Sequence, residues 1–133
     1  STSPLIGMEY HQFVRGCHLG VFPSYYEPWG YTPLEAMASG VPSVTSDLAG
    51  FGQYVIQNIH NPAKKGVYVV PRDGKYFHDS AQELADMLLA FVMQTRRERI
   101  NQRNRVESSS EEFDWNKLLK FYDEAYWKAI TIE

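Results

Sequence analysis

The sequence predicts an α/β fold: a parallel sheet with helices on both faces. Two observations carry this. Short apolar runs alternate with segments of helical periodicity along the chain. Short strands separated by helices in this way indicate a parallel sheet covered on both faces. The length of 133 residues suits one domain, 1–133, and 44% apolar with 14% aromatic residues is enough for a packed core.

The elements follow in order. Met8 to Arg15 reads as a short amphipathic helix with Met8, Phe13 and Val14 apolar, ended by Gly16. His18 to Pro23 reads as a buried strand. Pro33 to Ser39 reads as a helix with Thr32 as N-cap, Pro33 at the first helical position and Gly40 just past the end. Ser43 to Ser46 is a second strand, Gly50 to Ile59 a helix, and Gly66 to Val70 a third strand. Asp79 or Ser80 is expected to cap a long helix whose Leu84, Met87, Leu88, Phe91 and Val92 fall at helical spacing. Residues 106–133 form a C-terminal unit, with a polar linker from Glu107 to Glu112 and a last helix from about Trp115 to Ile130. No internal repeat interrupts this order.

Composition narrows the function classes. The longest stretch without a charged residue, Leu48 to Ala63, is broken by Gly50, Gly52, His60 and Pro62, so no membrane span is expected. Ser-Thr-Ser-Pro at the start has no leader pattern. The single cysteine, Cys17, excludes an internal disulfide framework and fits a reducing compartment. In its apolar context it reads as a packed thiol. A net charge of −3 argues against general nucleic-acid binding. His11, His18, His60 and His78 lack zinc-ligand spacing, and no metal is expected. Against the acidic background, five arginines and one acid, Glu98, lie between Arg96 and Arg105. Such a patch suits a specific anion.

Ligands of open parallel sheets bind beyond the carboxyl ends of the strands. The segment there is Ser24-Tyr-Tyr-Glu-Pro-Trp-Gly-Tyr-Thr-Pro. Gly30 permits close backbone approach, and the amides at a helix start suit phosphate. Glu27 lies on the loop before the helix. Glu35, read in its first turn, can accept a pair of hydrogen bonds from a ribose diol. Thr32-x-x-Glu35 equally fits a capping box with nothing bound. A core aromatic that only shapes the loop is the alternative reading of Trp29.

The run Ser24-Tyr-Tyr-Glu-Pro-Trp-Gly-Tyr-Thr-Pro-Leu-Glu resembles the C-terminal domain of eukaryotic, glucose-6-phosphate-regulated glycogen synthases. Glu27 and Glu35 match the Glu-x7-Glu pair of retaining GT-B glycosyltransferases. Arg15-Gly-Cys-His-Leu-Gly-Val-Phe-Pro, Gly40-Val-Pro-Ser, Gly50-Phe-Gly and the arginine cluster followed by Asp114-Trp115 extend the likeness from Ser1 to about Trp127. The resemblance implies a Rossmann-like fold forming the C-terminal half of a GT-B enzyme. It implies retaining transfer of glucose from UDP-glucose to the non-reducing 4-hydroxyl of a glucan, without metal or cofactor, in the cytoplasm. Glu27 would contact the donor glucose near the reaction centre, and Glu35 would hold the ribose hydroxyls. The turn Trp29-Gly30-Tyr31-Thr32 would bind the diphosphate, largely through amides. Tyr10 matches an aromatic that stacks on uracil, with ordinary helix-face packing as the alternative.

Arg96, Arg99 and Arg103, spaced i, i+3 and i+7, share one face of a helix, while Arg97 and Arg105 point elsewhere. Guanidinium groups grip phosphate in a fork that lysine cannot copy. A solvated helix face with Glu98 as local partner accounts for the same spacing. By resemblance, Arg99, Arg103 and His18 would bind glucose 6-phosphate, the family's activator. Arg96, Arg97 and Arg105 would sense phosphorylated tails. Ser108 stands where animal relatives carry another arginine. The partners implied are UDP-glucose, a glycogen or α-glucan acceptor held by a second domain, glycogenin, and further copies in a homo-oligomer. One wall of a two-domain cleft is expected to be inactive alone. A starch- or sucrose-type synthase and a non-enzymatic module for nucleotide sugars or sugar phosphates are the rival readings.

Overall fold

A computed structural model describes residues 7–131. The first four residues, read above for a leader, lie outside this range. The elements run α1 (Tyr10–Gly16), β1 (Gly20–Val21), α2 (Tyr31–Ala38), β2 (Ser43–Ser46), α3 (Gly50–Asn58), β3 (Val67–Val70), α4 (Phe77–Val92), α5 (Arg96–Ser110) and α6 (Trp115–Thr131). Two 3-10 turns, Pro62–Lys65 and Glu111–Phe113, precede β3 and α6.

The fold is α/β, as expected. Its sheet has the order β1-β2-β3 and is parallel throughout. Gly20 pairs with Ser43, and Ser43 through Ser46 pair with Val67 through Val70. All four residues of the central β2 are buried. Helices cover both faces. Val67 joins a cluster with Met37, Phe51, Val55, Ile59, Val106 and Phe113, drawn from α2, α3 and the residue that caps its end, α5 and the second 3-10 turn. The next residue, Tyr68, points to the opposite face by strand alternation. There it meets Phe91 of α4 edge-on, 6.5 Å between ring centres.

β2 and β3 lie where the sequence predicts them. β1 is much shorter than the His18 to Pro23 run, because it is an edge strand with one partner and its last bond to β2 is the Phe22 amide donating to the Val44 carbonyl at 2.8 Å. The helix after it starts earlier than expected. Gly30, not Thr32, is the N-cap, so Pro33 is the third helical residue and Glu35 stands in the second turn. At its other end the expectation holds: Gly40 donates to Met37 and Val41 to Ala36, closing the helix in a Schellman pattern.

Neither Asp79 nor Ser80 caps α4. Tyr76 is the N-cap, Asp79 sits in the first turn, and the buried Ser80 hydroxyl donates to the Pro71 carbonyl. The apolar stripe is graded: Phe91 is buried, Leu84, Met87 and Leu88 are half-buried, and Val92 is exposed. The expected polar linker is helical instead. α5 continues to Ser110, and the 3-10 turn takes up Glu111 and Glu112. Buried Val106 and Gln102 dock this polar helix, with Gln102 donating to the Ala63 carbonyl at 3.1 Å and to the Tyr68 hydroxyl. Cys17 is half-buried rather than a core thiol, with its sulfur 3.5 Å from the Phe13 carbonyl.

Candidate functional site

The loop from β1 to α2 crosses the carboxyl ends of β1 and β2. Glu27 forms a single parallel bridge with Ala49, which draws the loop against the start of α3. Gly50 donates to the Glu27 carbonyl at 3.0 Å and Phe51 to the Trp29 carbonyl at 2.7 Å. The approach is close: a Cβ on Gly50 would stand 2.1 Å from the Pro28 oxygen. On the near side, the Ser46 hydroxyl donates to the Ser24 carbonyl at 2.6 Å.

A cavity of about 220 Å³ opens beneath this loop, lined in part by Ser24, Glu27, Gly30, Thr32, Thr45 and Ala49. It joins a half-buried carboxylate to the N-terminus of α2. Gly30 makes the turn into that helix with φ +107°, a left-handed conformation suited to glycine. The amides of Tyr31 and Thr32 head the helix without intrahelical acceptors, and they carry the positive end of its dipole. Pro33, in third place, offers no amide. The site therefore combines hydrogen-bond acceptors from Glu27 with amide donors for an anion.

Other residues singled out in the sequence stand around this centre. Trp29 turns away from the cavity and packs edge-on against Phe51 and Tyr54, with ring centres 5.9 and 5.8 Å away. Glu35 and Tyr31 are exposed on α2 and do not line the cavity. Tyr10 is exposed at the head of α1, edge-on to His11, and also lies outside the cavity lining.

The arginines lie on α5, at the opposite end of α2. Arg103 and Arg99 are half-buried, one turn apart. The Arg103 guanidinium donates to the Cys17 carbonyl at 2.8 Å and the Arg15 carbonyl at 3.0 Å. It therefore caps the end of α1 and sits beside His18, which is exposed. Arg96 and Arg97 are exposed. Arg105 faces another cavity, which it lines with Glu98 and Gln102. Glu98 pairs with Thr95 rather than with an arginine. Its carboxylate accepts from the Thr95 hydroxyl and amide, both at 2.7 Å, and these bonds lower its pKa below the ordinary glutamate value.

Sequence reading missed Arg72, just past β3. Its guanidinium donates to the Pro23 carbonyl and lies 3.4 Å over the centre of the Tyr25 ring. No motif around it signals that contact, which joins residues 49 apart. Among the described residues no group of three or more His, Cys, Asp or Glu side chains is arranged to hold a metal ion. No helix there is long and apolar enough to cross a membrane.

Fold and site define an α/β domain with a cavity at the carboxyl ends of its parallel strands, where ligands of such sheets bind. The sequence profile of the glycogen synthase family matches residues 1–132, and the chain belongs to that family. "Glycogen [starch] synthase, liver" of Mus musculus is 52% identical over 125 residues, covering 94% of this chain and 18% of that protein. "Glycogen [starch] synthase" of Caenorhabditis elegans is 52% identical over 122 residues, 92% of this chain and 18% of that protein. "Glycogen [starch] synthase isoform 1" of Saccharomyces cerevisiae is 51% identical over 120 residues, 89% and 17% respectively. The chain thus spans less than a fifth of the length of these relatives.

Proposed function

We propose that this chain forms the donor-binding wall of a retaining glucosyltransferase that extends an α-1,4-glucan from UDP-glucose. In this reading it is the C-terminal half of a GT-B enzyme, and a second domain brings the acceptor. The observation that carries the proposal is the cavity in which Glu27 faces the N-terminus of α2 at the carboxyl ends of β1 and β2. Membership of the glycogen synthase family supports a sugar-nucleotide substrate for that cavity.

The chemistry follows from the donors and acceptors available. Glu27 contacts the donor sugar near the bond that breaks. The leaving diphosphate gains charge as that bond breaks, and the Thr32 amide at the cavity, with the Tyr31 amide at the cavity's edge, stabilises it. Glu35 accepts from the ribose hydroxyls and Tyr10 stacks on the uracil. The Trp29 side chain acts indirectly, since its packing on Phe51 and Tyr54 fixes the loop. No metal or cofactor enters this scheme.

The arginine helix is the regulatory element. Arg99, Arg103 and His18 bind the phosphate of glucose 6-phosphate, and the meeting of Arg103 with the Cys17 carbonyl supports that grouping. Arg96, Arg97 and Arg105 respond to phosphorylated tails. The full-length protein is a cytoplasmic oligomer that works on glycogen and meets glycogenin.

Calorimetric titration of the purified chain with UDP and with glucose 6-phosphate tests both halves. Glu35→Ala is expected to weaken UDP about tenfold or more, the loss of a charged hydrogen-bonding partner. Arg99→Ala/Arg103→Ala is expected to abolish sugar-phosphate binding and leave UDP untouched. Wild-type affinity for UDP in Glu35→Ala overturns the ribose assignment.

A further inference from the structure

We infer that Arg72 is a positioning residue that holds Glu27 at the reaction centre by clamping the loop before it. The inference rests on the reading of Glu27 as the group nearest the donor sugar. The loop has tethers on both sides of Glu27. At Glu27 and just beyond it, the Gly50 and Phe51 amides grip the backbone carbonyls of Glu27 and Trp29. Before it, the Ser46 hydroxyl holds Ser24, and Arg72 makes two contacts, one with the Pro23 carbonyl and one with the Tyr25 ring. Tyr25 is 65% exposed, so its ring has little other packing to fix it.

Arg72 is itself anchored. Asp47, just past β2, accepts from the Arg72 amide at 2.8 Å and from the Asp73 amide at 3.2 Å. The side chain therefore reaches from the end of β3, across the end of β2, to the loop that leaves β1. A planar guanidinium suits this span. It lies flat on the tyrosine while one in-plane N–H, on Nη1, donates sideways to the carbonyl. Lysine can keep the carbonyl bond but not the flat stack. The contacts fall two and four residues before Glu27, whereas the amides of the α2 N-terminus are fixed by the helix. Losing the clamp therefore displaces the carboxylate more than the diphosphate cradle.

Steady-state kinetics of the full-length enzyme test this. Arg72→Ala is expected to lower kcat about 10- to 100-fold, the scale of a misplacement near 1 Å. The KM for UDP-glucose should stay within about twofold, because the amide cradle is kept. Arg72→Lys should recover part of the loss. Tyr25→Leu, at an exposed position, should lower kcat in the same direction. An unchanged kcat in Arg72→Ala, or a KM that rises while kcat holds, overturns the inference. If Arg72→Ala fails to fold, Tyr25→Leu decides alone, and wild-type kcat in it is fatal. Glu27→Ala separates the two levels. Full activity there removes the reading of Glu27, whereas an inactive Glu27→Ala beside a fully active Arg72→Ala removes only the role of Arg72.

Discussion

Gly30 links the backbone of the site to its chemistry. It carries φ +107°, and a Cβ there would come within 3.3 Å of the Glu27 Cγ. Gly30→Ala therefore meets two obstacles, a conformation that L side chains avoid and a contact with the carboxylate arm. The expected cost is about 1–2 kcal/mol, read as a lower denaturant midpoint at unchanged slope. Glu27 must also shift by a few tenths of an ångström, so full-length enzyme carrying the substitution should lose more activity than this stability loss explains. The sequence names Gly30 as a special position, because a glycine between a strand and a helix start suggests an unusual dihedral. It does not disclose that Glu27 is the neighbour, since that contact depends on how the intervening Pro28 and Trp29 turn. Gly50 is similar. The motif Gly50-Phe-Gly is visible in the chain, but its reason, the Pro28 oxygen lying against the start of α3, belongs to tertiary structure.

At the scale of elements, α5 shows what periodicity hides. Its polar run has no apolar stripe, so Glu107 to Glu112 reads as a linker. Yet the helix persists to Ser110 because two buried residues, Gln102 and Val106, dock it and a capping box starts it. The box is legible after the fact as Thr95-x-x-Glu98. The same pattern at Thr32-x-x-Glu35 forms no box, because the helix begins at Tyr31 under Gly30. Only the backbone course separates the two. Thr95→Ala should lower the denaturant midpoint at neutral pH by removing the hydroxyl partner of the Glu98 amide. The sign of its pH dependence follows from Glu98. The Thr95 hydroxyl and then the Thr95 amide hold that carboxyl below its unfolded value. Its contribution is full above the unfolded pKa and is lost as pH falls through the folded one. The gap between wild type and Thr95→Ala should therefore narrow in acid. A gap that is constant from neutral pH to below the glutamate range contradicts the ionised box. Strands β2 and β3 were readable throughout because burial on both faces makes them continuously small or apolar. The edge strand β1 was readable in place but not in extent, since the pairing that bounds it is not written in side-chain pattern.

For the whole molecule, the question is which surfaces the chain leaves unburied. α6 has 17 residues and none of them is buried. Its first turns close an apolar groove of about 330 Å³, where Trp115, Phe121 and Tyr122 face Trp29, Leu34 and Tyr54. Among the described residues its far half faces no such partner: Tyr126, Trp127 and Ile130 are 63%, 68% and 71% exposed. Aromatic exposure on this scale is unusual for a surface that meets only water. The curated relatives are more than five times as long as the matched segment, and so have ample chain to cover such a face. In the isolated chain, other copies are the available cover, and hydrophobic association is non-directional. Sedimentation should therefore show a mass that rises with concentration. Tyr126→Lys/Trp127→Lys should shift the chain toward monomer with little change in its denaturant midpoint, because neither side chain contributes to the core. The groove-lining Trp29 and Tyr54 are untouched by these changes, so UDP affinity should hold. A chain that stays monomeric at every concentration would mean that the α6 face folds back on its own domain in solution, and the double lysine substitution would then lower stability instead of mass.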